Sequence, residues 1–196
     1  MTGVQTCALP IFYAALRDAR KNYLRKTVKD AIFDLPPILP LKEESKGKRV
    51  SHELKSKTIS WHVPRFHNER DIKIFKELAL DIASGSNKYQ DIESIKKLYT
   101  KMTGKKSNVH KYYVLRSNEP SNTIVAHLHK DGLRHIHPDP TQARSITVRE
   151  AARLQSFPDD FEFIGSMGDA YKMVGNAVPP LFAKIIAEIV TKLIKQ

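Results

Sequence analysis

The chain has 196 residues, 41% of them hydrophobic, with 33 lysines and arginines against 21 aspartates and glutamates, a formal net charge of +12 and one cysteine. That apolar share supplies a core, and a single cysteine excludes both an internal disulfide framework and a cysteine-rich zinc site. No stretch reaches the roughly 18 apolar residues of a membrane span, so the expectation is a cytoplasmic protein with no membrane partner. The charge is unevenly placed: residues 151–196 hold five basic and five acidic side chains, which leaves the whole excess in residues 1–150. Such an excess suits contact with a polyanion, although on charge alone a solvated basic face is the more common case.

Residues 1–11 lack a basic start and are interrupted by Pro10, so they fail as a signal peptide. They resemble the conceptual translation of a sequencing adapter, and the expectation is an assembly artefact that includes Cys7, with the coding sequence continuing upstream. Residues 12–26 are rich in Ala, Leu, Arg and Lys, and residues 27–32 read as a short capped turn of helix that Pro36, Pro37 and Pro40 bring to an end. Residues 42–57 are charged and poor in aromatics, which predicts a flexible loop. Asn68 is placed to cap an amphipathic helix carrying Ile72, Phe75, Leu78, Ala79 and Ile82, closed by Ser84-Gly85-Ser86-Asn87. A shorter helix over 92–99 precedes a basic loop at 101–106.

Residues 111–116 and 123–129 read as strands, and Lys130-Asp131-Gly132 reads as a hairpin turn into 133–137. On that reading His127, His129, His135 and His137 fall at i, i+2 spacing on adjacent strands. With Asp131 or Asp139 they could ligate a metal. Ordinary strand polarity is the preferred reading, and imidazoles facing phosphate are a third.

Thr147 and Glu150 have capping-box spacing at the head of a helix that Phe157-Pro158 stops. Arg149 and Arg153, four apart, share a helix face. Next comes Tyr171-Lys172-Met173-Val174-Gly175-Asn176-Ala177-Val178-Pro179-Pro180, read as a turn in which Gly175 permits a tight or left-handed backbone and the prolines open the next helix. Leu181, Ile185, Ile186, Ile189, Val190, Leu193 and Ile194 then form a core-facing stripe.

In order, spacing and wording, the segments at 145–161 and 171–180 resemble the last two motifs of the cytosine-5 DNA methyltransferase family. The resemblance is tight over roughly the final quarter of the chain and looser over 63–71 and 121–139. It implies an α/β fold: a mixed target-recognition domain plus the carboxy-terminal helical return of a Rossmann-like methyltransferase domain whose amino-terminal catalytic part is missing. Residues 12–26 would end a catalytic-domain segment, 27–144 would be the target-recognition region, and 145–196 would return to the methyltransferase domain. The family flips cytosine out of duplex DNA and methylates C5 from S-adenosyl-L-methionine through a cysteine adduct. The Pro-Cys nucleophile, the glycine-rich cofactor loop, the Glu-Asn-Val segment and the Gln-x-Arg-x-Arg segment of the family are absent here, so no catalytic residue is carried over. The resemblance does imply cofactor-binding roles for Asn176, Ala177 and Val178, and structural support from Thr147, Arg149, Glu150 and Arg153. By likeness to a Thr-Leu pair and by nearby charge, it makes Thr123, Lys130 and Arg134 a DNA-facing set. The implied partners are duplex DNA, the amino-terminal methyltransferase domain and a cognate restriction endonuclease. A separate DNA-binding subunit of a split enzyme and a His-rich metal-binding protein are the alternative readings.

Overall fold

The computed structural model describes residues 4–41, 50–54, 56, 59–106, 112–130 and 132–195, with side chains from residue 9 onward. The helix α1 (Val4–Arg20) runs through Pro10 and is followed by the one-turn α2 (Val28–Ile32). Thr27 and Asp30 close a capping box around α2, each side chain bonding the other's backbone amide. After the prolines the chain extends as β1 (Ile38–Pro40), which pairs antiparallel with β2 (His52–Leu54), Leu39 opposite Glu53. This second strand falls inside the stretch expected to be a flexible loop. His52 explains it: its ring is buried and its Nε2 lies 3.0 Å from the Gln142 carbonyl, which anchors the strand to the core. Of that expectation, 42–49, 55 and 57 lie outside the described residues.

The helices α3 (Glu69–Ala83) and α4 (Ile92–Thr103) form a pair. Asn68 and Asp91 accept from the amides of Asp71 and Ser94 and so begin them. Asp81 organises their link, accepting from the amides of Lys88 and Tyr89 and from the Ser86 hydroxyl. The second helix runs one turn beyond the 92–99 expected, because Gly104, at φ 68°, supplies the left-handed residue that ends it. Lys101 is therefore helical rather than in a loop.

The expected hairpin does not form. Residues 112–116 pair instead with 133–137: Tyr113 N–H donates to Leu133 O, Ile136 N–H to Tyr113 O and Leu115 N–H to Ile136 O. Residues 125–130 coil into successive turns, closed by Leu128 N–H to Val125 O and Lys130 N–H to His127 O, and Gly132–Arg134 is a short 3-10 helix, here η1. Turn formation prevails because it sinks Leu128 completely into the core, whereas a hairpin would leave that side chain on an edge. Asp131 lies outside the described residues.

The chain closes with α5 (Val148–Leu154), α6 (Met167–Asn176) and α7 (Pro180–Ile194). The middle one occupies much of the segment expected to be a turn. Its signal, Ser166 and Asp169 in a capping box, is plain in the sequence once sought. Gly175 is thus helical and needs no left-handed backbone. Its role is close approach: a Cβ there would stand 2.3 Å from Val125 O and 3.0 Å from Ala126 Cα.

Among the described residues two apolar cores result. One gathers Val28, Ile32, Leu115, Ile124, Leu128, Ile146, Ala151, Tyr171 and Val174. The other gathers Phe75, Leu78, Leu98, Tyr112, Val114 and Ile136 under the α3–α4 pair. Val114 and Leu115, successive on an extended segment, point to opposite cores as strand geometry requires. The stripe on α7 is not core-facing as expected: it meets α1, Ile189 alone among its apolar residues is buried, and Ile194 remains 79% exposed. Among the described residues no helix is long and apolar enough to cross a membrane.

Candidate cofactor and nucleic-acid interface

A buried polar centre joins residues 142–145 to α5. The Arg144 guanidinium, fully buried, donates to both carboxylate oxygens of Glu150 at 2.6 and 2.7 Å, to Gln142 Oε1 at 2.6 Å and to Ser145 O at 3.1 Å. Glu150 Oε2 also accepts from the Thr147 amide at 2.7 Å, so one carboxylate serves both the capping box and the ion pair. Burial alone would raise the Glu150 carboxyl, but the Arg144 guanidinium overrides it and holds the group at about 2.

Buried imidazoles surround this pair. His62 bridges Thr147 Oγ1 and Pro36 O, His67 Nε2 accepts from the Ser145 amide, and His137 Nδ1 accepts from the Asp139 amide while its ring stacks on Phe33. Burial, reinforced by the Arg144 charge, pushes His52 and His137 down to about 4; burial with the neighbouring His52 and arginine charges pushes His67 to about 3. His137 is therefore neutral near pH 7, and its 3.7 Å approach to Glu150 is a dipolar contact rather than an ion pair. His127 is exposed and His129 half-buried on the turn, while His135 and His137 are buried elsewhere. The four do not share a face, and among the described residues no group of three or more His, Cys, Asp or Glu is placed to hold a metal. The adjacent strands on which that metal reading relied are not formed, and Asp131 lies outside the described residues.

Arg149 and Arg153 do not present a shared face to a ligand. Arg149 is buried and donates to Ser60 O, Ser60 Oγ, Pro158 O and Phe161 O; Arg153 pairs with Asp159 and Asp34 at 2.6 Å and donates to Ala31 O. Both close loops onto α5. From that helix Gln155 Nε2 donates to Val174 O, and Tyr171 O–H donates to Ile146 O at 2.7 Å, which fixes α6. Ser156, at φ 63°, accepts from Leu181 N–H and so caps α7, whose own N-cap position is Pro179 and has no side-chain cap.

Asn176 and Ala177 end α6, and Val178 leads to the prolines with 59% of its surface exposed. Beside them a cavity of about 740 Å³ is lined by Thr27, Asn122, Thr123, Arg153, Ser156, Pro179 and Leu181 among others. The fold thus brings Thr123 and Arg153 to one cavity adjoining Asn176–Val178 without placing those three in its wall. Thr123 also neighbours Arg134: Asn122 Nδ2 donates to Arg134 O, and the Thr123 carbonyl lies 3.3 Å from His135 Nε2. Thr123, Lys130 and Arg134 are all exposed, Lys130 on the separate turn. Arg144 is central to this arrangement and carries no sequence signal, since an isolated arginine in an irregular segment has no periodicity to betray it.

A sequence model of the C-5 cytosine-specific DNA methylase family matches residues 12–192, and the chain belongs to that family. It is 36% identical over 187 residues to the type II methyltransferase M.Bpa9945I of Bacillus paralicheniformis, covering 86% of this chain and 41% of that protein. It is 59% identical over 87 residues to the putative type II methyltransferase M.OihORF3336P of Oceanobacillus iheyensis, covering 44% and 18%. It is 30% identical over 189 residues to DNA (cytosine-5)-methyltransferase 3 of Arabidopsis thaliana, covering 88% and 13%. The chain thus spans less than half the length of each of these relatives.

Proposed function

We propose that this chain is the recognition and closing portion of a DNA cytosine-5 methyltransferase of a type II restriction-modification system, acting on duplex DNA with S-adenosyl-L-methionine. The observation that carries the reading is the coupling of parts: α5 packs on α6, the cavity lined by Thr123 and Arg153 adjoins the end of α6, and Asn122 Nδ2 ties that side to Arg134 O. A cytosine methylase needs such a frame, because the base-reading surface and the methyl donor must meet at one flipped nucleotide.

Asn176, Ala177 and Val178 offer the cofactor one edge, an amide and an apolar surface, at the rim of a cavity walled by other residues. They do not enclose S-adenosyl-L-methionine by themselves, so no step of methyl transfer is assigned to this chain. The exposed stripe on α7, with Leu181 and Phe182 each 43% exposed, is the surface on which an amino-terminal methyltransferase domain would pack. A cognate restriction endonuclease would be a partner of the system rather than of this surface. A separate DNA-binding subunit of a split enzyme remains the second reading, favoured by the same partly exposed stripe.

The test adds labelled S-adenosyl-L-methionine and cytosine-rich duplex DNA to the chain alone and to the chain with the amino-terminal part of the Bacillus paralicheniformis relative. The expected result is no incorporation alone and C5 labelling with both. Labelling by the chain alone would overturn the division of labour, and none with both, given a folded mixture, would count against the reading.

A further inference from the structure

The turn at 126–130 is held from beneath by a single side chain. Arg65 donates from Nη2 to Leu128 O at 2.8 Å and from Nη1 to His129 O at 3.2 Å, and its guanidinium carbon lies 3.7 Å from the centre of the Tyr171 ring. A planar fork stacked on an aromatic face while donating to two carbonyls leaves little freedom to the turn it holds. The second anchor is Gly175, whose missing side chain lets Val125 O and Ala126 approach α6. Both anchors therefore fix the turn to the helix that carries Lys172, the neighbour of Tyr171.

The consequence is a concentration of positive charge. Burial and then the charges of Lys172, Lys130, Arg65 and His127 hold the His129 imidazole below its ordinary value, and its Nδ1 is buried with no hydrogen-bond partner among the described residues. Lys172 is half-exposed, and its contact with Asp169, at 3.2 Å and one helical turn away, is a solvent-facing pair of the kind that contributes little. Lys130 on the turn and Lys172 on the helix packed beneath it are like charges, and an anion seated between them relieves their repulsion.

We propose that the turn and α6 together form one phosphodiester-binding site, in which Lys172, His129 and Lys130 receive a backbone phosphate of duplex DNA and Arg65 positions the turn. This rests on the DNA-facing reading above and adds to it a contact from the closing helix itself. A phosphate bound there would tie the DNA to the same helix that ends in Asn176, so duplex and cofactor edge would share one rigid support. Phosphate contacts of this kind set register and leave base reading to other side chains.

The experiment measures binding of the full chain to a fluorescent duplex by anisotropy across a salt series, for the parent and for Lys172→Ala, Lys172→Gln, His129→Gln and Lys184→Ala. Each phosphate contact contributes about 0.9 to the slope of log K against log salt. Lys172→Ala and Lys172→Gln are expected to lower the slope by about that much, His129→Gln to weaken binding several-fold, and Lys184→Ala, on α7, to change nothing. Circular dichroism establishes that each variant is folded, and the two Lys172 variants check one another. Parent binding with an unchanged slope in both Lys172 variants would overturn the site alone; a parent with no salt-sensitive binding would overturn the DNA-facing reading as well. Inorganic phosphate that displaces the duplex where chloride of equal ionic strength does not would assign the site to free phosphate instead.

Discussion

Arg144 and Glu150 are buried together, and the geometry of their pair explains why neither is tolerable alone. Four of the guanidinium's donor contacts go to protein oxygens, and the carboxylate also satisfies the amide that opens α5. Replacing a buried pair by apolar groups of similar shape is often near neutral, whereas removing one partner strands the other charge at about 3–5 kcal/mol. Glu150→Gln keeps the shape and the capping acceptor but leaves Arg144 uncompensated, so a loss of about that size is expected in urea denaturation. Arg144→Met combined with Glu150→Leu should recover much of it. If the double variant is as unstable as Arg144→Met and Glu150→Leu summed, the loss comes from the cap and the Gln142 contact rather than from a stranded charge.

At the scale of elements, α6 decides how the turn at 125–130 and residues 176–178 are related, and Gly175 is its contact point. An alanine gains about 1 kcal/mol of helix propensity over glycine in a helix interior. Here its Cβ would overlap a backbone carbonyl at 2.3 Å, and that atom cannot rotate away as a side chain would. Overpacking costs about 1–3 kcal/mol, so Gly175→Ala is expected to destabilise and to displace residues 125–126, seen as faster amide exchange at Leu128 and Lys130. Unchanged exchange together with a higher melting temperature would show that propensity wins. The same helix marks what could be read from the sequence. Caps announced themselves where a side chain and an amide three residues on satisfy each other, as at Thr27, Asn68 and Thr147, because that pairing is local. The run at 123–129 misled because its β-branched residues fit a strand equally well, and the choice was made by Arg65, some sixty residues away, and by burial of Leu128. The family motifs were legible as wording; that Arg149 and Arg153 spend their donors on loops, and that Arg144 holds the centre, depended on contacts between distant segments.

For the whole molecule, acid is the natural probe, because the two apolar cores meet across a centre filled with neutral imidazoles and one charged pair. His52 and His137 at about 4 and His67 at about 3 all lie below the ordinary histidine value of 6.5, and His62 is lowered too, chiefly by burial. Below pH 6.5 the unfolded chain therefore binds protons that the folded chain refuses, so stability is complete above that pH and declines as the pH falls towards the folded values. Glu150, depressed from 4.5 to about 2, acts in the same direction in a lower window, its stabilisation being lost as the pH falls from about 4.5 towards 2. A tenfold difference in proton affinity between folded and unfolded chain is worth about 1.4 kcal/mol, so one imidazole that binds its proton about a hundredfold more weakly when folded removes about 3 kcal/mol from a total of about 5–15. The urea midpoint should then be level between pH 8 and 7, fall clearly by pH 5.5 and fall further towards pH 4, the α3–α4 core included, because the His67 ring packs edge-on against Phe75. A midpoint that holds level down to pH 5 would mean that the centre accepts protons without opening, and the imidazoles would have to be reassigned as solvent-linked groups rather than as the filling between the two cores.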